Sequence, residues 1–272
     1  MRIIDFHTHL DERWLDNPLP SREDLLAGMD RVGVTISCIF TIQGLYGDCA
    51  RHNDALLRHA EQSPDRLIPF VTVDPKAGKA AVEETQRCLS NPLVRGVKFH
   101  SWLQAFAPSM VKQTLVDILR CAARHDVPVL FHDGTPPYST TFQIAAAARM
   151  VPEATIVLGH AGLADYVYPA GRLIHELPNL YGCFCGPRPG DLEYLVNIGG
   201  AHKILFGSDF GVCEWLLLAE RLDNVLQADL DEEVTKEVLF ENAERLLHLQ
   251  DRPLPAGSWH DTNCKGQADR ST

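Results

Sequence analysis

The sequence predicts an α/β protein of the (β/α)8 TIM-barrel class, and three observations lead to that prediction. Eight short apolar or β-branched segments recur along the chain, each ending in polar residues. Helix-like amphipathic segments lie between them, which is typical of parallel βαβ units. No glycine-rich phosphate-binding motif marks the switch point of an open sheet. The length of 272 residues suits a single barrel.

The predicted strands cover residues 2–9, 35–42, 66–73, 94–100, 127–134, 155–162, 179–186 and 203–211. The first predicted helix, SREDLLAGMDRVG, opens on a serine that can act as N-cap and closes on glycine. After the last strand, WLLLAERL and DEEVTKEVLFENAERLLHLQ predict the helices that complete the outer ring, including an extra C-terminal helix. We therefore expect one barrel domain over residues 1–250. Residues 251–272 are polar, rich in Pro and Gly and without periodicity, which predicts a flexible tail.

Composition excludes several classes of partner. A formal net charge of −11 argues against nucleic acid and anionic membrane surfaces, because both would repel the protein. No apolar run is long enough to span a bilayer, and the N-terminus lacks the features of a signal peptide. The eight cysteines form no C-x-x-C pair, so reduced thiols and a cytoplasmic location are expected. The expected partner is a small-molecule substrate. The sequence does not reveal the oligomeric state, and a homodimer is expected only because dimers are common among cytoplasmic enzymes.

Polar residues suited to chemistry recur at the carboxyl ends of the predicted strands. They are His7 and His9 in the first strand, Lys98 and His100 in the fourth, His132 in the fifth, His160 in the sixth and Asp209 in the eighth. In a barrel these strand ends converge on one face, and active sites lie on that face. Histidines scattered over a surface would not share this placement.

The H-x-H pair at the first strand predicts a metal site. His7 and His9 are two residues apart, so both side chains point to the same face and can bind one ion. Such a pair often arises by chance, but His132 and Asp209 at matching strand ends would complete a set of three nitrogens and one oxygen. A cation held there would activate water or polarise a substrate oxygen.

Other residues near this face have two interpretations each. Lys98 takes part in catalysis or metal bridging, or pairs with a nearby carboxylate. His100 lines the substrate pocket, or is a hydrogen-bonded loop histidine. Arg188, which follows the seventh strand, binds a substrate carboxylate in bidentate fashion, or is a surface arginine. Trp102 walls the pocket or packs within its loop. Asp5 is placed to orient a metal ligand.

Six short motifs, in this order and spacing, resemble the amidohydrolase superfamily and, within it, the branch of the aminocarboxymuconate-semialdehyde decarboxylase-like proteins. The motifs are DFHTHL, GVKFH, LFHDG, LGHAG, LFGSDFG and ENAERLL, and they cover nearly the whole chain except the tail. The resemblance implies that His7, His9 and His132 are metal ligands. It implies that Asp209 contacts the metal and takes a proton from the attacking water, and that His160 contacts substrate or water.

The same resemblance bears on the cofactor. Lys98 lies where some superfamily members carry a carboxylated bridging lysine, but the branch resembled here generally uses one metal. We expect one divalent transition metal ion, with zinc favoured and manganese, iron or cobalt as alternatives, because three imidazoles and a carboxylate suit all four.

Two chemistries follow from the resemblance. The favoured one is hydrolysis, in which metal-activated water attacks an amide, ester or lactone carbonyl, with Asp209 as base and His160 beside the oxyanion. The alternative is non-oxidative decarboxylation of an aromatic or enoic acid, with Asp209 or His160 as the acid–base group and Arg188 on the carboxylate. A non-catalytic, metal-binding barrel is a third hypothesis, because a fold does not dictate a function.

Overall fold

A computed structural model describes residues 2–10, 12–186, 188–211 and 215–255. Its centre is a sheet of eight parallel strands that follow one another in chain order. The strands are β1 (Ile4–His9), β2 (Ile36–Phe40), β3 (Leu67–Val71), β4 (Gly96–Phe99), β5 (Val129–Phe131), β6 (Ile156–Leu158), β7 (Leu180–Phe184) and β8 (Ile204–Phe206). The eight strands confirm the prediction of a TIM barrel.

Hydrogen bonds between β1 and the segment after β8 close the barrel. The Asp209 amide donates to the His7 carbonyl at 2.9 Å, and the His9 amide donates to the Phe210 carbonyl at 2.7 Å. The last strand is therefore shorter than the predicted 203–211, since the chain turns after Phe206 and resumes pairing with β1 as an isolated bridge.

Each strand is followed by a helix that packs outside the sheet. The helices are α1 (Arg22–Val32), α2 (Cys49–Glu61), α3 (Lys79–Leu89), α4 (Lys112–Arg124), α5 (Thr141–Met150), α6 (Val167–Glu176), α7 (Pro189–Gly199) and α8 (Trp215–Leu226). The first begins as predicted, with Ser21 as N-cap in a reciprocal capping box with Asp24, and it ends at Gly33 in the left-handed conformation. A two-residue ribbon, Arg13–Trp14 paired with Asn17–Pro18, lies between β1 and α1.

The predicted C-terminal helix is present as a continuous helical stretch. It comprises α9 (Glu232–Lys236), a π-helical turn (Glu237–Glu241) and α10 (Asn242–Leu246). The Asn242 side chain donates to the carbonyls of Ala201 and Ile204, both at 2.8 Å, and so ties this stretch to the start of β8. Most of the predicted tail, residues 256–272, lies outside the described residues.

Large aromatic side chains fill the interior of the barrel. Phe6 and Phe40 each meet Phe70 edge-on, with ring centroids 5.4 and 5.3 Å apart. Gly96 belongs to this packing, because a Cβ there would lie 2.3 Å from the Phe70 ring.

No helix within the described ranges is long and apolar enough to cross a membrane. The six cysteines in those ranges are free.

Candidate active site

A cavity of about 140 Å³ opens at the carboxyl ends of the strands. It has a polar side, formed by side chains from β1, the ends of β4 and β5 and the turn after β8, and an apolar side formed by three loop residues. The polar side consists of His7, His9, Lys98, His100, His132 and Asp209, and the apolar side of Trp14, Ile42 and Leu103. The structure thus brings six of the predicted site residues around one space.

β1 presents both of its histidines to this cavity, although its alternation is broken. Its pairing with β2 shifts register between Asp5 and Thr8, which is the mark of a β-bulge. The hydrogen bonds of Asp5 go to backbone amides and to the Ser208 hydroxyl. Its carboxylate accepts hydrogen bonds from the His7 amide at 3.1 Å and the Ser208 amide at 3.0 Å, so it holds the backbone of the two segments that carry the site together.

The tautomer of His7 follows from its contacts. Its Nδ1 lies 3.0 Å from the Gly159 carbonyl, so this nitrogen carries the hydrogen. The lone pair on Nε2 then faces Lys98 Nζ at 3.0 Å and Asp209 Oδ1 at 3.4 Å. Burial, and after it the charge of Lys98, lower the pKa of His7 well below its usual value, which keeps the ring neutral. A backbone carbonyl that fixes the far nitrogen is the usual support of a metal-binding histidine.

Asp209 is held in place by an unusual backbone turn. Its φ of +61° lies in the left-handed region, which aspartate tolerates better than most residues. Two glycines allow the turn to approach β1. A Cβ on Gly207 would lie 2.9 Å from His7 Cβ, and a Cβ on Gly211 would lie 2.1 Å from the His9 carbonyl oxygen. The two glycines of the sequence GSDFG therefore allow the close turn that places the Asp209 carboxylate beside β1.

His7, His9 and Asp209 form a cluster that fits a divalent cation. One donor atom from each lies within 4.8 Å of the others. Burial opposes ionisation of Asp209, but the imidazoles of His7, His9 and His160 outweigh it and hold the pKa of the carboxyl well below its usual range. The carboxylate oxygen Oδ1 of Asp209 lies 3.4 Å from His7 Nε2, which also accepts from Lys98 Nζ, and 3.3 Å from His9 Nε2. In addition, His9 Nδ1 is buried and has no hydrogen-bond partner among the described residues. Two imidazoles and a carboxylate are ligands that a divalent transition metal takes.

His132 lines the same cavity but stands apart from this cluster. Its Nδ1 lies 2.9 Å from His160 Nε2, its Nε2 lies 2.7 Å from Thr135 Oγ1, and its ring stacks on His100 with centroids 3.7 Å apart. Burial and the neighbouring His160 lower its pKa well below the usual value. Each ring nitrogen of His132 already has a hydrogen-bond partner. Metal binding by His132 stays a prediction, and one of these two hydrogen bonds would have to break for the nitrogen to bind the metal.

His160 lies beside the cluster, fixed by a buried carboxylate. The Asp133 carboxylate accepts hydrogen bonds from the His160 and Gly162 amides, both at 2.7 Å, and so fixes the backbone of this segment. Burial lowers the pKa of His160 to about 4 and raises that of Asp133 to about 6.

A second cluster of donor atoms within 4.8 Å combines His7 and His160 with Cys185. Burial raises the pKa of the Cys185 thiol well above its usual value, and its sulfur lies 3.3 Å from the Gly159 carbonyl.

Lys98 and His100 occupy the polar side as neighbours of the cluster. Burial lowers the pKa of Lys98 to about 8, so its ammonium keeps its proton at neutral pH, and it also lies 4.9 Å from the centre of the Phe40 ring. Burial, together with the charge of Lys98, lowers the pKa of His100 to about 2. The site therefore offers a buried ammonium beside four imidazoles whose pKa values are lowered, those of His7, His100, His132 and His160.

The two remaining candidates lie away from the cavity. Arg188 is exposed and pairs with Asp191 at 2.7 Å, which is the surface arrangement weighed above. Trp102 is 47% exposed, and its neighbour Leu103 lines the cavity instead. The cause is the turn after β4, where the Gln104 side chain accepts from the His100 amide at 3.0 Å and the Gln104 amide donates to the His100 carbonyl.

The apolar side was not identified from sequence. Trp14, Ile42 and Leu103 come from the loops after β1, β2 and β4. The one available signal is that they follow the strand ends where barrel enzymes carry their sites, and many other loop residues share that signal. Leu19 and Leu45 pack with these three residues in one small apolar cluster.

Comparison with known proteins places the chain in a family. The family model described as amidohydrolase matches residues 4–249. No curated protein sequence matches the chain significantly.

Solved structures share the fold at low identity. The 2,6-dihydroxybenzoate decarboxylase from Rhizobium is 18% identical, with a TM-score of 0.75 over 91% of this chain and 99% of that one. The 5-carboxyvanillate decarboxylase from Sphingomonas paucimobilis is 16% identical, with a TM-score of 0.74 over 91% and 99%. A dihydroxybenzoic acid decarboxylase from a Polaromonas species, solved with bound manganese and the inhibitor 2-nitroresorcinol, is 17% identical, with a TM-score of 0.73 over 91% and 97%. With its barrel, its strand-end cluster and the family match over almost all described residues, the chain belongs to the amidohydrolase family.

Proposed function

We propose that the protein is a metal-dependent, non-oxidative decarboxylase of a small carboxylic acid. The observation that carries this proposal is the juxtaposition of the cation cluster His7–His9–Asp209 with the buried ammonium of Lys98 in one small cavity. The ammonium supplies a charged partner for a carboxylate, and the apolar side accommodates the rest of an acid.

The residues of the chain have distinct tasks in this reaction. A divalent metal held by His7, His9 and Asp209 would supply positive charge to bind and orient the acid. Lys98 Nζ donates hydrogen bonds to the substrate carboxylate. Asp209, ionised in the resting site, takes up a proton from solvent and passes it to the carbon that bears the substrate carboxylate. The bond between that carbon and the carboxylate carbon then breaks, its electron pair stays with the substrate, carbon dioxide leaves, and the new C–H bond remains. His160 is the second candidate for the proton transfer.

The structural relatives support decarboxylation over hydrolysis. The three relatives described above are named as decarboxylases of aromatic acids, and they match nearly their whole length to this barrel. Hydrolysis, the chemistry favoured from sequence, is the second candidate, because the same cluster would also activate water.

For the metal, we propose a divalent transition ion. Zinc was expected from the ligands, and the Polaromonas relative holds manganese.

A product assay separates the two chemistries. The protein is loaded with Mn²⁺ or Zn²⁺ and incubated with dihydroxybenzoates, other aromatic and enoic acids, lactones and amides. Release of carbon dioxide from an acid, with the matching C–H product, is expected. Acid production from a lactone or amide, with no carbon dioxide from any acid, would overturn the proposal in favour of hydrolysis. Metal content by mass spectrometry, compared with that of His7→Ala, tests the cluster separately.

A further inference from the structure

The carboxylate of Glu12 joins two loops that frame the cavity. Glu12 lies in the segment between β1 and α1, and its side chain is only 10% exposed. It accepts hydrogen bonds from Thr41 Oγ1 at 2.5 Å, the Ile42 amide and the Gln43 amide, the last at 2.8 Å. His52 Nδ1 lies 2.8 Å from the same carboxylate and adds a contact from α2.

These contacts hold the apolar side of the cavity. Ile42, whose amide binds the carboxylate, lines the cavity directly. Trp14 lies two residues after Glu12 in the short ribbon, and the Glu12 carbonyl accepts from the Leu19 amide at 2.9 Å to close that ribbon on the other side. One backbone hydrogen bond, from the Leu45 amide to the Ile42 carbonyl at 3.1 Å, lies within the Ile42 loop itself. Across the two loops, the other contacts that the described part of the chain gives this cluster are apolar packing, which is not directional; the cluster comprises Trp14, Leu19, Ile42, Leu45 and Leu103. The carboxylate is therefore the directional link between the Trp14 loop and the Ile42 loop.

Glutamate suits this task for a chemical reason. A carboxylate has about four acceptor positions on two oxygens, and here one oxygen faces the Ile42 and Gln43 amides while the other faces Thr41 Oγ1 and His52 Nδ1. A hydroxyl and an imidazole can also accept hydrogen bonds, so glutamine can keep these contacts by turning its NH₂ group towards Thr41 and His52. Alanine removes all four contacts and so frees the Trp14 loop from the Ile42 loop.

We propose that Glu12 is a positioning residue that sets the width of the substrate cavity by fixing the Trp14 loop against the Ile42 loop. It does not touch the reacting atoms. Its removal changes which substrates fit, and the metal cluster keeps its geometry because β1 and the turn after β8 hold that cluster independently. The inference rests on the proposed function only in taking aromatic carboxylates as probes.

The test compares Glu12→Ala with the matched control Glu84→Ala. Glu84 is also a shielded carboxylate, 16% exposed, that links two elements by accepting from Asn53 and Arg87, but it is not among the residues lining the cavity. Hydrogen–deuterium exchange is measured over residues 12–19 and 41–47 of the metal-loaded proteins. Binding of benzoate and of the wider 2-naphthoate is measured by calorimetry.

Exchange in both segments is expected to rise at least about tenfold in Glu12→Ala and to stay unchanged in Glu84→Ala, since a lost anchor of about 1.4 kcal/mol is a factor of ten in an opening equilibrium. The ratio of benzoate to 2-naphthoate affinity is expected to shift towards the wider acid by several fold in Glu12→Ala alone, with metal content unchanged. Unchanged exchange in Glu12→Ala, or an unchanged affinity ratio, would overturn the inference. If neither acid binds to the wild-type protein, the proposed carboxylate substrate is contradicted, whereas the exchange comparison still decides the role of Glu12.

Discussion

At the scale of single residues, the site depends on contacts that fix protons and charges. The Gly159 carbonyl sets the tautomer of His7, and the imidazoles around Asp209 keep its carboxyl ionised. Lys98 stays charged at neutral pH although it is buried, because its pKa of about 8 still lies above that pH. Two predictions test these statements.

Replacing Asp209 by asparagine keeps the shape of the side chain but removes the charge and the proton acceptor. We expect turnover to fall by at least about 100-fold, as for the loss of an acid–base group, and metal content to fall with it. Steady-state rates and metal analysis measure the two effects. Asp191→Asn, which breaks only the surface pair with Arg188, is the control. Near-normal turnover in Asp209→Asn would show that another group moves the proton.

The charge on Lys98 gives substrate binding a pH dependence. The ammonium is present below about pH 8 and is lost as the pH rises through that value, so the affinity for benzoate should fall above pH 8. Lys98→Met should bind benzoate roughly tenfold more weakly at pH 7 and show no such fall, since a hydrogen bond to a charged group contributes about 1.5–3 kcal/mol. Calorimetry from pH 6.5 to 9.5 measures both proteins, with the surface variant Lys79→Met as control. Equal affinity of Lys98→Met and wild type would contradict a carboxylate at this position.

At the scale of elements, the turn after β8 is the most constrained part of the site. Gly207 has no room for a methyl group, because a Cβ would lie 2.5 Å from the Cys183 sulfur and 2.9 Å from His7 Cβ. Gly207→Ala should lower the free energy of unfolding by about 1–3 kcal/mol through overpacking, and should displace His7 and so weaken metal binding. Gly190→Ala in α7, where a Cβ meets nothing within 4 Å, should leave stability unchanged or slightly raised. Urea unfolding measures both, and equal midpoints for the two variants would argue against the close contact.

Sequence patterns predicted the elements well, and side-chain placement less completely. Strand ends are visible as apolar runs that stop at polar residues, so the cavity could be anticipated from His7, His9, Lys98 and Asp209. Local geometry was harder to foresee. Hydrogen bonds made by Gln104 decide which of two adjacent loop residues, Trp102 or Leu103, faces inward. The bulge in β1 has no counterpart in the alternation of polar and apolar residues along the sequence. Glu12 gave no signal either, because its partners lie about 30 residues away.

At the scale of the whole molecule, the residues of the candidate site and the contacts that anchor the C-terminal helical stretch lie at opposite ends of the barrel. The carboxyl ends of the strands carry the cavity, whereas the helical stretch from Glu232 to Leu246 packs near the amino end of β8 through Asn242, which is fully buried. Asn242→Ala should therefore lower the free energy of unfolding by about 1–3 kcal/mol through the unpaired carbonyls of Ala201 and Ile204. Metal content and turnover below the unfolding transition should not change. Chemical denaturation compared with the surface variant Gln250→Ala checks the first expectation, and a loss of metal in Asn242→Ala would contradict the separation.

The left-handed backbone at Asp209 also limits how this site can evolve or be redesigned. At a φ of +61°, glycine, asparagine and aspartate are accepted readily, while longer or branched side chains are strained. Of the three, aspartate alone offers a carboxylate. A lengthened ligand such as glutamate would have to overcome backbone strain before it could reach the ion. Libraries that aim to change the metal or the reaction will therefore find more working variants at the loop positions around Trp14 and Leu103 than at this turn.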